Sequence, residues 1–153
     1  GIRQAELIGL KTSDIDWAQG QMRVLGKRNK ERLVPIIPAL ADTLKHYMTQ
    51  RKVYPGTSAH SFLLVTNKGN KTYPAFVYRL IKTYFRSVSN KISTSPHVLR
   101  HSFATHMLDA GADINVVKEI LGHESLAATQ EYTKVQLPKV QDAYRAAHPR
   151  AKK

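Results

Sequence analysis

One predicted helix carries a charged side chain on its apolar side, and this limits the folds open to the chain. The stretch "SPHVLRHSFATHMLDAG" has Ser95 and Pro96 as a helix start signal and Gly111 as a stop. At about 100° per residue, one arc of this helix collects its apolar side chains. These are Leu99, Phe103, Ala104, Met107, Leu108 and Ala110. His97 and Arg100 fall within the same arc, so we expect a guanidinium on the core-facing side of the helix.

The position of Arg100 calls for a negative partner. An unpaired guanidinium removed from water is costly, and the first turn of a helix attracts anions. Three interpretations remain open: a buried Asp or Glu partner, a phosphate held by Arg100 with His97 beside it, and a metal on His97 and His101 at i, i+4 spacing. Metal is least favoured, because no nearby acid completes an H-E-x-x-H pattern and the guanidinium would repel a dication. His101 is otherwise expected to pack or hydrogen-bond, and His106, on the polar face, to be uninvolved.

The rest of the chain predicts an α+β fold that is mostly α-helical with a small three-stranded antiparallel β-sheet. A hairpin is indicated by "QMRVLG" and "ERLVPII" around the turn "GKRNK", and "HSFLLVT" is predicted as the third strand. The segment "TSDIDWAQG" is interpreted as a turn with a short helical piece. Further helices are predicted in "IRQAELIGL", "PALADTLKHYMTQRK", "PAFVYRLIKTYFRSV", "DINVVKEIL" and "LPKVQDAYRAAH".

Charge indicates the partner. The chain has 153 residues, the size of one domain, and 24 Lys and Arg against 11 acids give it a net charge of +13. A folded domain this basic typically binds a polyanion, so nucleic acid is the leading partner. The absence of cysteine excludes disulfides and zinc–thiolate sites. No stretch approaches the ~20 apolar residues of a membrane span and the first residues do not resemble a signal peptide, so we expect a cytoplasmic protein without a membrane partner.

Two further residues complete a set that can carry chemistry. His123 follows a glycine and Tyr132 comes nine residues later. Alone, such a histidine is more often a helix cap and such a tyrosine more often core packing. Together with Arg100 and His97 near a phosphate, they suggest phosphoryl transfer to the tyrosine hydroxyl. That hydroxyl has a pKa of about 10, so nearby cations and a histidine base would help it attack.

At this point the chain resembles the catalytic domain of the tyrosine recombinases, the phage integrase family, and most closely its Xer-type members. The opening "GIRQAELIGL" is similar to the family's G-x-R-x-x-E-x-x-x-L box, which implies that Arg3 is the first phosphate-clamping arginine and Glu6 its support. The stretch "VLGKRNKERLVPI" is similar to the family's β-hairpin. It implies that Lys27 is the general acid for the 5′ hydroxyl.

The same resemblance assigns the remaining catalytic positions. The stretch "SPHVLRHSFATHML" is similar to the H-x-x-R-H box, so His97 would assist proton transfer and Arg100 would be the second arginine. "LGH" gives His123 a contact to the scissile phosphate. Tyr132 stands at the spacing of the family's nucleophile. All six positions occur in order over nearly the whole chain, which is far more specific than any single box.

The resemblance implies that double-stranded DNA is cut and rejoined through a 3′-phosphotyrosyl link, without cofactor or metal. It also implies a homotetramer at synapsis, in which the C-terminal helix "LPKVQDAYRAAH" is exchanged between subunits. Arg28, Lys30 and Arg32 are predicted to contact the DNA backbone, and Arg79 and Lys82 to enter a groove.

The chain also departs from the family pattern. It begins two residues before Arg3, so we expect residues 1–153 to be a catalytic domain truncated at its N-terminal side, without the N-terminal core-binding domain. Two alternatives therefore stay beside the recombinase: a DNA-binding fragment without turnover, and a type IB topoisomerase-like enzyme. Integration of a mobile element and resolution of chromosome dimers are both open.

Overall fold

The computed structural model describes residues 1–57, 60–86 and 95–122, together with 142, 146 and 147. Within these residues the chain forms five α-helices and one three-stranded antiparallel sheet, which confirms the predicted α+β class. The helices are α1 (Gln4–Gly9), α2 (Pro38–Gln50), α3 (Pro74–Arg86), α4 (Pro96–Asp109) and α5 (Ile114–Leu121). The strands are β1 (Ile15–Asp16), β2 (Gln21–Leu25) and β3 (Glu31–Pro35).

The predicted hairpin is confirmed and forms the centre of the sheet. Strands β2 and β3 pair in register from Gln21 opposite Pro35 to Leu25 opposite Glu31. The turn closes with a hydrogen bond of 2.7 Å from the Gly26 N–H to the Lys30 carbonyl. Within it, Arg28 and Asn29 both take left-handed backbone conformations, with φ of 58° and 56°. The hairpin therefore presents a short basic turn at one end of the sheet.

The prediction for the third strand is wrong. The sheet is completed by β1, which pairs with β2 and follows a single 3-10 turn at Thr12–Asp14. The apolar run "HSFLLVT" instead makes only an isolated bridge from Phe62 to Lys11 and another from Val65 to Lys71. Leu63 is nevertheless buried, at 2% exposure. A short apolar run indicates burial, but it does not distinguish a sheet strand from an irregular segment that fills the core.

The core lies against the hairpin and is closed by the last described helices. Met22, Val24 and Val34 of the hairpin pack in one cluster with Met107 of α4 and with three residues of α5. The α5 residues are Val117, Ile120 and Leu121. Because α5 packs directly on β3, its C-terminal end is carried to the turn end of the hairpin. None of the helices in the described part of the chain is long and apolar enough to cross a membrane.

Helix α4 begins and ends as predicted. The Ser95 hydroxyl accepts a hydrogen bond of 3.3 Å from the Val98 N–H, and Pro96 occupies the first turn. At the other end Gly111 takes a left-handed conformation with φ of 84°.

The buried face of α4 is narrower than predicted. Met107 is fully buried, and Phe103 and Ala104 pack partly against the core. Leu99 and Leu108, by contrast, are 40% and 41% exposed, and Ala110 is exposed as well. The helical angles therefore identify the centre of the buried face and overestimate its width.

The neighbouring residues Met107 and Leu108 test this description of α4. We expect Met107→Ala to lower the free energy of unfolding by about 2–5 kcal/mol, because it leaves a cavity in the core. Leu108→Ala, one position away on the same helix, should cost less than about 1 kcal/mol. Urea unfolding followed by circular dichroism measures both. Equal costs would contradict the buried face assigned here.

Candidate active site

Three arginines from different parts of the chain meet at the C-terminal end of α5. Each donates a hydrogen bond to one of three consecutive carbonyls, those of Ile120, Leu121 and Gly122. In that order the donors are Arg32 Nε at 2.7 Å, Arg100 Nη2 at 2.7 Å and Arg3 Nη2 at 3.0 Å. The last carbonyls of a helix have no partner within it, and they carry the negative end of the helix dipole. This end of α5 therefore gathers guanidinium groups.

A single buried carboxylate, Glu6, joins two of these arginines. Its oxygens accept hydrogen bonds from the Arg3 backbone N–H at 2.8 Å and from Arg3 Nη1 at 2.9 Å. They also accept a bidentate pair from Arg32, with Nη1 at 2.9 Å and Nη2 at 2.7 Å. Burial by itself raises the pKa of Glu6, but the hydrogen bonds from Arg32 and Arg3 outweigh it and hold the pKa at about 2. Glu6 is therefore ionised across the physiological range.

Arg100 is held by carbonyls rather than by an acid. Its Nη1 donates to the Gly1 carbonyl at 2.7 Å and its Nη2 to the Leu121 carbonyl at 2.7 Å. Among the described residues no carboxylate forms an ion pair with Arg100. Burial, and then the positive charge of Arg3, lower the pKa of Arg100 from its usual value. The guanidinium thus lies next to that of Arg3 without a carboxylate of its own in the described residues.

The hairpin turn brings Lys27 to the same place. A Cβ added to Gly26 would lie 3.5 Å from Glu6 Oε1 and 3.6 Å from Arg32 Nη1, so the turn passes directly over the ion pair. Lys27 is the next residue and is exposed. The turn residue before Lys27 therefore approaches Glu6, the carboxylate that also binds Arg3.

Gly122 ends α5 in close contact with the Arg32 guanidinium. It ends α5 in a left-handed conformation, with φ of 66°. A Cβ at this position would lie only 2.9 Å from Nη1 of the buried Arg32. Only glycine meets both conditions without strain. The predicted catalytic residue His123 follows directly, and both it and Tyr132 lie outside the described residues.

The histidines of α4 are all on the surface. His97 is exposed in the first turn, one turn before Arg100, and His101 and His106 are exposed further along. Across residues 1–57, 60–86 and 95–122, no group of three His, Asp or Glu side chains could hold a metal ion. The prediction that His97 lies in the core-facing arc of α4 is therefore wrong, whereas Arg100 is partly buried.

The residues predicted to contact DNA differ in how exposed they are. Arg28 and Lys30 are exposed on the hairpin turn, and Arg79 and Lys82 are exposed on α3. Arg79 donates a hydrogen bond of 2.9 Å to the Tyr73 hydroxyl. All four side chains lie on accessible surface.

The prediction that Arg32 contacts the DNA backbone is wrong. Arg32 is only 5% exposed, and Glu6 and the Ile120 carbonyl occupy its guanidinium. Strand alternation could have revealed this, because Arg32 shares its side of β3 with the buried Val34. Its place in a run of basic residues concealed that signal.

Comparison with known proteins identifies the family to which this fold and site belong. Residues 1–137 match the sequence profile of the phage integrase family. The chain is 41% identical over 156 residues to the tyrosine recombinase XerC of Chlorobaculum tepidum, covering 99% of this chain and 46% of that protein. It is 40% identical over 155 residues to XerC of Myxococcus xanthus, covering 99% of this chain and 52% of that protein. The chain belongs to the phage integrase family, and it spans about half the length of the curated relatives it matches.

Solved structures of recombinases have a fold similar to that of this chain. The crystal structure of the XerA recombinase matches 97% of this chain and 54% of its own, with a TM-score of 0.73 and 30% identity. The XerH recombinase bound to its difH substrate, in a pre-cleavage complex, matches 90% of this chain and 41% of its own. Its TM-score is 0.71, with 27% identity.

The low pKa of Glu6 predicts a loss of stability in acid. Because the folded-state pKa of about 2 lies below the ordinary 4.5, the contribution of the ion pair is full above about pH 4.5 and is lost as the pH falls toward 2. We expect Glu6→Gln to be less stable than the parent by on the order of 3 kcal/mol at pH 6, with the gap narrowing between pH 4.5 and pH 2.

Urea unfolding at a series of pH values measures this gap. Glu31→Gln is the matched control, since Glu31 is exposed and only 4.0 Å from Arg23. It should differ from the parent by less than about 0.5 kcal/mol throughout. A gap for Glu6→Gln that does not change with pH would contradict the assignment.

Proposed function

We propose that this chain is the catalytic domain of a site-specific DNA recombinase, which cuts and rejoins DNA strands through a 3′-phosphotyrosyl intermediate. The observation that carries the proposal is the pair of guanidiniums of Arg3 and Arg100, fixed on adjacent carbonyls at the end of α5. In the described part of the chain, Glu6 is the one carboxylate that forms ion pairs within this cluster of Arg3, Arg32 and Arg100. A phosphodiester would supply the missing negative charge, and guanidinium forks match its oxygens. The family membership and the DNA-bound XerH relative support this interpretation.

The first half-reaction breaks one phosphoester bond and forms another. The Tyr132 oxygen attacks phosphorus, and the bond from phosphorus to the DNA 5′ oxygen breaks. His97 takes the tyrosine proton, and Lys27 gives a proton to the departing 5′ oxygen. The product is a 3′-phosphotyrosyl link and a free 5′ hydroxyl.

The phosphate is held by cations while its charge develops. Arg3, Arg100 and His123 donate to the non-bridging oxygens, and these contacts strengthen as the pentavalent transition state forms. In the second half-reaction a 5′ hydroxyl of the partner strand attacks the same phosphorus, and Tyr132 regains its proton. One phosphoester replaces another in each step, so the proposal includes no ATP, cofactor or metal.

The assembly and location follow from the same resemblance. We propose a homotetramer at synapsis, with the C-terminal helix "LPKVQDAYRAAH" exchanged between subunits, in the cytoplasm. The exposed cations Arg28, Lys30, Arg79 and Lys82 would contact double-stranded DNA. Because such contacts release counterions, binding should weaken steeply as salt is raised.

The nucleophile is tested by trapping. The full gene product is incubated with a library of duplexes that carry a nick next to each possible cleavage position, so that the cut strand cannot be rejoined. We expect a covalent protein–DNA adduct on denaturing gels with the parent, and none with Tyr132→Phe. Tyr54→Phe, remote from the arginine cluster, is the matched control and should form the adduct.

Other outcomes would assign a different function. DNA retention without any adduct would make the protein a DNA-binding module without turnover. Relaxation of supercoiled plasmid without preference for a site would make it a type IB topoisomerase-like enzyme. An adduct that persists in Tyr132→Phe would refute the assignment of the nucleophile.

The role of Lys27 is tested by changing the leaving group. A substrate with sulfur in place of the bridging 5′ oxygen leaves as a thiolate and needs no proton donor. We expect Lys27→Met to slow cleavage of the ordinary phosphodiester by about 100-fold or more and to cleave the sulfur substrate nearly as fast as the parent. Lys30→Met should affect both substrates equally. Equal losses with Lys27→Met would contradict a general-acid role.

A further inference from the structure

We propose that Arg32 is a positioning residue for this reaction. It fixes α1, β3 and the end of α5 in one register, so that Arg3 is held beside the end of α5, where Arg100 is also bound. This inference rests on the proposed function and adds to it a residue that does not touch the substrate.

The Arg32 side chain, on β3, forms hydrogen bonds to both α1 and the end of α5. Its Nη1 and Nη2 meet both oxygens of Glu6 at 2.9 and 2.7 Å, while its Nε meets the Ile120 carbonyl at 2.7 Å. A guanidinium is planar, so the directions of its three hydrogen bonds are fixed relative to one another. Moving α5 relative to α1 would break at least one of them. Arg32 therefore sets the distance between two elements that are far apart in sequence.

The first consequence concerns Arg3. Glu6 holds Arg3 by its backbone N–H and by Nη1, and these hydrogen bonds are strongest while Glu6 is ionised. Without Arg32, Glu6 would remain buried with one ionic partner fewer, and the pKa of Glu6 would rise. Once protonated, Glu6 no longer attracts the Arg3 guanidinium.

The charged groups around Glu6 determine this titration. They are the guanidiniums of Arg3, Arg32 and Arg100. Lys27 lies on the adjoining turn. With Arg32 removed, burial opposes ionisation of Glu6 and the remaining cations favour it, so its pKa should lie above the parent's value of about 2.

The second consequence concerns the end of α5. The Arg32 guanidinium lies so close under Gly122 that a Cβ there would come within 2.9 Å of Nη1. Removing the guanidinium would leave a gap beneath Gly122, whose carbonyl accepts a hydrogen bond from Arg3. The end of α5 is then held by fewer contacts, and a displacement of about 1 Å in a reacting group can cost about 100-fold in rate.

Arg32 does not contact the phosphate itself. It is 5% exposed, with donors on all three nitrogens bound to protein oxygens. Arg3, in contrast, has a side chain that is 39% exposed. Of the two arginines that bind Glu6, Arg32 therefore holds the structure together and Arg3 reaches the surface.

The experiment compares Arg32→Met and Arg32→Lys with Arg23→Met in the full gene product. Arg23 lies on the same hairpin and makes only exposed ion pairs, to Asp14 at 3.4 Å and Glu31 at 4.0 Å. Single-turnover adduct formation on the trapping duplex is measured from pH 5 to pH 8, with DNA affinity measured in parallel. Rates are expressed relative to the parent at each pH, which cancels titrations that all the proteins share.

We expect Arg32→Met to form adduct about 100-fold more slowly than the parent at pH 7.5, with DNA affinity changed less than about 3-fold. Its relative rate should fall further toward the acid end of this range, because the pKa of Glu6 is raised without Arg32 and protonation of Glu6 weakens its hold on Arg3. Arg32→Lys keeps the charge but not the fork, so it should be slow without the new pH dependence. Arg23→Met should match the parent.

The inference is overturned if Arg32→Met cleaves as fast as the parent, or if its loss is entirely one of DNA affinity. If Arg32→Met does not fold, Arg32→Lys decides the question: a folded protein with parental rate and affinity would refute positioning. If the parent itself forms no adduct, the proposed function fails, and NMR then tests Arg32 independently. Slowly rotating Nη–H signals of Arg3 should be present in the parent and lost in Arg32→Met, and their retention would refute the inference.

Discussion

Three consecutive carbonyls at the end of α5 hold the three arginines of the candidate site together. Each accepts a guanidinium from a different part of the chain: Arg32 from the hairpin, Arg100 from α4 and Arg3 from the start of α1. Helix ends always leave carbonyls that need donors, and here that general need assembles the site. The fold therefore depends on the same contacts that bring the candidate catalytic arginines together.

The charge balance of this cluster explains its chemistry. Among the described residues, one ionised carboxylate, Glu6, pairs with two of the three guanidiniums, and the dipole end of α5 compensates part of the remaining charge. Carbonyl partners orient a cation without cancelling its charge. Arg100 in particular is held by two carbonyls, those of Gly1 and Leu121, and keeps a full positive charge. A cluster stabilised in this way remains attractive to a phosphate.

Local signals in the sequence predicted the elements well and the contacts between them poorly. Ser95, Pro96 and Gly111 set the limits of α4 correctly because caps act within one turn. The width of its buried face was overestimated, since burial of Leu99 and Leu108 depends on what packs opposite them. That Arg100 needs a negative partner followed from its helix face. The partner itself, the end of α5, is a tertiary feature that no local pattern reveals. The roles of His123 and Tyr132 remain predictions from the family resemblance.

The basic residues of the hairpin show why net charge alone is an incomplete guide to DNA contacts. Strand alternation turns Arg32 into the core, where Glu6 neutralises it, and places Arg23 beside Asp14 and Glu31. The turn residues, which no sheet partner covers, are the ones left on the surface. A chain of net charge +13 therefore uses part of its positive charge to build the site and leaves part of it exposed on the surface. The side of the strand, more than the density of basic residues, decides which purpose an arginine serves.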